Sequence, residues 1–82
     1  MQVEIEVLKK LIVANVTDDY KVHKITDSFM IFYDRTSFAN YICEFYKDSN
    51  GEPQIFDSEC IAVERTIQEV WLDKETNYQY IV

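Results

Sequence analysis

Apolar residues recur at helical spacing over the first sixteen positions and at strand spacing after them. Val3, Val7, Leu8, Leu11, Ile12 and Val16 follow a three-and-four rhythm with Glu4, Glu6, Lys9 and Lys10 between them, which predicts an amphipathic helix over 3–16. Glu6 and Lys10 stand four apart in the favourable order. A short strand over Val3 to Val7 competes, because alternation is also clean there. The polar cluster from Asn15 to Asp19 ends the periodic stretch.

From Tyr20 the pattern becomes that of a sheet. Lys21 to Thr26 and Phe29 to Asp34 are short β-rich runs separated by Asp27-Ser28, which suits a tight turn. Residues 37–47 carry two competing signals. Phe38, Tyr41, Ile42 and Phe45 fit one helix face with Ser37 as N-cap, so a second helix is open. Tyr41 to Lys47 is nevertheless crowded with aromatic and β-branched residues. It runs into Asp48-Ser49-Asn50-Gly51-Glu52-Pro53, a turn signal between two apolar runs, and this favours a strand and a hairpin. Glu64 to Leu72 and Tyr78 to Val82 flank the five-residue connection 73–77 and read as a last hairpin. Leu72 is expected to face Tyr78 and Val70 to face Tyr80, with Trp71 and Ile81 on the other side. Both faces of that hairpin are apolar, so the sheet is either covered twice or meets a partner. The expected fold class is α+β: one N-terminal helix packed on a mostly antiparallel sheet of about five strands, as a single domain over 1–82.

Composition narrows the class further. With 48% hydrophobic and 15% aromatic residues the chain can build a core, and one glycine and one proline leave little for linkers. The start of the chain alternates charged and apolar residues instead of building a basic segment and an apolar block, and no stretch approaches the ~20 residues that span a bilayer. A soluble protein of the cytoplasm (the host's, for a viral chain) is expected. Cys43 and Cys60 are read as reduced, buried thiols. A bridge becomes conceivable if their segments pair with Cys43 opposite Cys60.

Charge changes the picture most. Residues 48–75 hold Asp48, Glu52, Asp57, Glu59, Glu64, Glu69, Asp73 and Glu75 against Arg65 and Lys74, so most of the net −7 falls in one third of the chain. Such a field attracts basic partners and repels nucleic acid and anionic lipid. Direct nucleic-acid binding and membrane binding are therefore not expected.

Catalytic and ligand signatures do not accompany the acids. Two cysteines and one histidine do not make a zinc site, and Asp48 to Glu52 lacks the continuing ligands of a calcium loop. No metal, cofactor or catalytic residue is assigned. A His23–cysteine pair could be drawn, but with fifteen acids a third member is always at hand, and His23 is read as a surface residue.

The expectation is a non-catalytic acidic protein that occupies the basic, nucleic-acid-binding surface of a partner, plausibly a nuclease. By analogy of class alone, phage counter-defence (anti-CRISPR) inhibitors and immunity proteins are built this way. Asp57 and Glu59, two apart on one side of a strand, would mimic phosphate spacing. The partner-binding set is Asp57, Glu59, Glu64, Glu69, Asp73, Glu75 and Trp71, with Tyr46 and Phe56 as further aromatic anchors. The alternative is a structural module that self-associates, as a homodimer or with a partner sheet, through its C-terminal hairpin.

Overall fold

The computed structural model describes residues 1–65 and 70–80. Helix α1 spans Ile5–Ala14 and buries Leu8, Leu11 and Ile12. It is two residues shorter at each end than the periodicity predicts. Asn15 turns left-handed at φ 68° and its N–H donates to the Leu11 carbonyl, which closes the helix. Val3 is buried as predicted, but as extended chain: its N–H donates to the Ser58 carbonyl, and Gln2 bridges Glu59.

Seven strands follow among the described residues: β1 Tyr20–Ile25, β2 Phe29–Asp34, β3 Ala39–Lys47, β4 Pro53–Ile55, β5 Ile61–Arg65, β6 Trp71–Asp73 and β7 Gln79–Tyr80. All pairings are antiparallel, in the order β1-β2-β3-β5-β6-β7, with β4 on the far end of β3. The chain is thus α+β, with two strands more than the sequence pattern predicts.

Within residues 37–47 the chain runs as strand from Ala39, and the second helix is not formed. The Ser37 hydroxyl donates to Asp34 Oδ2 instead of capping a helix, and Phe38 turns left-handed at φ 58° to close the β2–β3 loop. Asp34 is buried because its carboxylate holds that loop, taking the Thr36 N–H on Oδ1. Pairing then puts Ile31 against Ile42 and Met30 against Cys43.

Alternation along β2 and β3 divides the apolar side chains between two cores. Met30, Phe32, Cys43 and Phe45 meet the helix residues Leu8, Leu11 and Ile12, with Val3 and Cys60. Ile31, Ile42, Val63 and Trp71 form a second cluster on the other face, flanked by Phe29 and Tyr80. No described helix covers that face. The sheet covers it by curling, so the expectation that both faces need cover is met from within the chain. His23 on β1 and Trp71 on β6 stack with ring centroids 5.9 Å apart, and Phe29 on β2 meets Tyr80 on β7 at the same separation. Each pair is four strands apart in the order, about 19 Å in a flat sheet at ~4.8 Å per strand. The β6–β7 hairpin therefore rolls over the open face and closes a second core.

Two expectations for the last third are corrected. Glu64 to Leu72 is not one strand: Val63 pairs with Asp73 and Arg65 with Trp71, so the chain reverses between them. The hairpin register is also shifted by one, with Leu72 facing Gln79 and Trp71 facing Tyr80. Asp73 sets that register. Its N–H donates to the Tyr78 carbonyl, its carbonyl takes the Asn77 N–H, and its Oδ1 takes the N–H groups of Glu75 and Thr76. Asn77 adopts φ 63°, as its type allows. A one-residue slip exchanges faces, so Trp71 and Tyr80 share the inner side. The expected place of Ile81 lies outside the described residues.

Candidate functional site

The seven residues proposed from the sequence do not converge. Trp71 is buried in the second core, and Asp73 is buried as the organiser of the β6–β7 turn, where it borders only the cleft it shares with Glu44, so neither lies on the open surface. Both are corrections with one cause: the curled sheet turns the Trp71–Asp73 face inward. Glu64 follows Val63 in β5 and points to the opposite side of the sheet from the second core. Glu75 is exposed at the tip of the 74–76 turn. Glu69 lies outside the described residues.

Asp57 and Glu59 do come together, though not on a strand. They lie in the connection between β4 and β5, where Asp57 Oδ1 accepts the Glu59 N–H. The strand repeat that would match phosphate spacing is therefore not present at these two positions. Glu59 Oε1 also takes the Met1 ammonium at 2.8 Å, which offsets part of its charge.

What the structure adds is Glu44. It points from β3 to the face that carries Ile42, and with Asp57, Glu59, Phe56, Ile42 and Ile61 it lines a depression of about 200 Å³. Phe56, which lines it, meets Tyr46 in a tilted contact with centroids 5.0 Å apart, and both are exposed, at 66% and 48%. Glu44 also lines a larger cleft of about 850 Å³ under the β6–β7 hairpin, together with Phe29, Tyr78 and Tyr80. Tyr78 and Tyr80 meet edge to face at 5.0 Å. Burial raises the Tyr80 phenol above its ordinary value, and the nearby carboxylates of Glu44 and Asp73 push the same way. None of the described residues lining either cavity is basic.

The sequence signal for Glu44 was parity. In the strand reading of 41–47, Ile42, Glu44 and Tyr46 share one face, but Glu44 lies outside the acid-rich third. Carboxylates beside exposed aromatic rings suit a guanidinium or ammonium group, which gains charge pairing and a π face together.

Other chemistry finds less support in the geometry. Among the described residues no three His, Cys, Asp or Glu side chains gather as metal ligands. His23 stacks on Trp71 in the second core, whereas Cys43 and Cys60 lie in the helix-side core. The His–Cys pair is thus split across the sheet. No described helix is long and apolar enough to cross a membrane.

Comparison with protein families, with curated proteins and with solved structures found no match for this chain.

Proposed function

We propose that this protein is a non-catalytic binding module whose aromatic–acidic face takes a basic segment of a partner protein. One observation carries the reading: the exposed Tyr46–Phe56 pair stands beside the depression lined by Glu44, Asp57 and Glu59. Aromatic rings supply short-range affinity, and the acids steer encounter with a basic surface. The basic surfaces of nucleases and other nucleic-acid-handling proteins are rich in the lysines and arginines that such a face would hold. An inhibitor of that kind would act by covering the surface, in the cytoplasm.

The test is a titration of the isotope-labelled protein with an arginine-rich peptide containing one apolar residue, followed residue by residue by NMR. Shifts concentrated at Glu44, Tyr46, Phe56, Asp57 and Glu59, and weakening steeply with salt, are expected. Shifts spread over the helix, or unaffected by salt, would sink the proposal.

A second reading has its own observation. β7 ends the strand order among the described residues, and Tyr78 beside it is exposed, so this edge can recruit a strand from another copy. Sedimentation separates the two readings: the binding module is a monomer, the assembly module a homodimer.

A further inference from the structure

Cys43 and Cys60 meet the condition that makes a bridge conceivable. Ile42 faces Ile61 across β3 and β5, and the antiparallel register continued by one residue sets Cys43 opposite Cys60. The Cys60 N–H donates to the Met1 carbonyl, and its own carbonyl accepts from the Met1 ammonium. Its main-chain groups are thus turned away from Cys43. That is the non-hydrogen-bonded kind of cross-strand pair, whose Cα atoms approach to about 4.5 Å and whose side chains lie closest. Disulfides span Cα separations of roughly 4.4–6.8 Å. Both cysteines are free, nearly fully buried and part of the same core cluster.

We propose that Cys43 and Cys60 form a reversible disulfide site, oxidised by a low-molecular-weight disulfide, that tethers the excursion 44–59. The inference does not depend on what the protein binds. Its placement has a consequence all the same, because the closed loop contains Glu44, Tyr46, Phe56, Asp57 and Glu59. Every residue singled out on the candidate face except Ile42 and Ile61, which border it, falls inside the tether.

The chemistry is thiol–disulfide exchange. The Cys43 thiolate attacks one sulfur of the oxidant, the S–S bond breaks, and the departing thiolate takes a proton from water. Cys60 then gives up its proton and attacks the mixed disulfide at Cys43, expelling the second small thiol. Two protein thiols are oxidised and one small disulfide is reduced to two thiols. The neighbouring Cys60 thiol lowers the Cys43 pKa, whereas the Cys43 sulfur and burial raise that of Cys60, whose S–H donates to the Ser58 carbonyl, so Cys43 is the first to react. Access requires the Met1–Val3 segment to lift from residues 58–60 by local opening, so oxidation is slow beside that of a surface thiol.

The experiment treats the folded wild-type chain with oxidised glutathione and maps the peptides without reduction. An intramolecular Cys43–Cys60 link is expected, with slower amide hydrogen exchange over 44–59 and a higher unfolding midpoint that reductant reverses. Cys43→Ala and Cys60→Ala should each stop at a mixed disulfide. The proposal is overturned if the folded chain keeps two alkylatable thiols, if the link joins two chains, or if it forms only in denaturant. The wild-type peptide map decides the matter even where an alanine variant fails to fold, and it is blind to the outcome of the peptide titration.

Discussion

The imidazole of His23 and the indole of Trp71 stack with centroids 5.9 Å apart and planes 30° from parallel. They come from β1 and β6, which no hydrogen bond joins directly. Trp71 reaches across because the last hairpin folds back over the sheet, and it is 6% exposed as a result. The same closure brings Tyr80 onto Phe29 and leaves the cleft beside Glu44. The folding of the second core and the shape of the candidate face are one event.

If Trp71 roofs the second core, Trp71→Ala should lose about 3–5 kcal/mol, the range for truncating a buried large aromatic. His23 is exposed and contributes mainly through the stack, worth roughly 0.5–1.5 kcal/mol. Urea unfolding of both single variants and the double variant measures the coupling. A coupling of zero would mean that the two rings are neighbours without energetic contact, and that the closure rests elsewhere.

Asp73 should behave as a structural residue despite lying in the acidic third. Its Oδ1 accepts two main-chain N–H groups of the turn and so ties the exposed loop to the buried end of β6. Asp73→Ala should therefore cost about 1–3 kcal/mol. Glu75, two residues on and exposed, should change stability by no more than about 0.5 kcal/mol when made alanine. Equal losses in urea titrations would contradict the division of these acids into structural and surface groups.

Much of the fold was legible because local chemistry and tertiary context agree. The Phe29–Asp34 strand, the Asp27-Ser28 turn and the hairpin turn before Pro53 all stand where pattern and turn residues place them. The reversal between Arg65 and Trp71 was hidden for the opposite reason. Residues 66–70 contain no glycine, proline, asparagine or aspartate, so nothing local announces that Val63–Arg65 and Trp71–Asp73 pair antiparallel. The last hairpin slipped by one because Asp73 was counted inside the connection, whereas its main-chain pairing with Tyr78 makes it the last residue of the strand.

The candidate site was half legible. Asp57, Glu59, Tyr46 and Phe56 were named and do share one region. Trp71 reads as a contact residue because a hairpin apolar on both faces looks the same in sequence whether its second face meets a partner or its own chain. Glu44 is invisible to a sum of charge along the sequence, because the sheet gathers its acids from β3 and from the β4–β5 connection. The sum over one third of the chain describes a field. It does not describe a surface.

Gly51 adopts φ 79°, and a Cβ built there meets nothing within 4 Å. Crowding is thus absent, and any cost of Gly51→Ala comes from the left-handed backbone alone, about 1–2 kcal/mol. Gly51→Asn should recover part of that loss, since asparagine tolerates this conformation. Thermal unfolding of the two variants would show the order glycine, asparagine, alanine. An alanine variant as stable as the wild type would mean that the turn relaxes into another form.

Asp48 supplies a dependence on pH in the same turn. The Glu52 N–H donated to its carboxylate lowers its pKa below the ordinary 3.8, helped by the Asn50 N–H, the Gln54 amide and the charge of Lys9, while partial desolvation opposes them. A carboxylate depressed in the folded state stabilises it above the unfolded value, and that stability is lost as pH falls through the folded value. Asp48→Asn keeps the Oδ1 acceptor for the Asn50 and Glu52 N–H groups, and removes both the charge and the Oδ2 acceptor of the Gln54 amide. Wild type should therefore be the more stable at neutral pH, with the gap closing in acid below 3.8. A gap constant across that range would place the effect in packing and not in charge.

Phe56 offers the sharpest separation of binding from folding. It is 66% exposed, so Phe56→Ala should shift stability by no more than about 0.5–1 kcal/mol. Phe45, two residues from Cys43 on the helix-side face of the same sheet, is 1% exposed, and its alanine variant should lose about 3–5 kcal/mol. On the proposed face the ranking inverts, because Phe56 meets Tyr46 beside the acids and Phe45 has no route to a partner. Phe56→Ala should weaken binding of the arginine-rich peptide about tenfold or more, the 1.4 kcal/mol scale of an aromatic anchor. Glu44→Gln should weaken it less and flatten its response to salt, since it removes charge and leaves the rings in place. If Phe56→Ala binds the peptide as the wild type does, the exposed ring pair is a bystander and the acids act only through their long-range field.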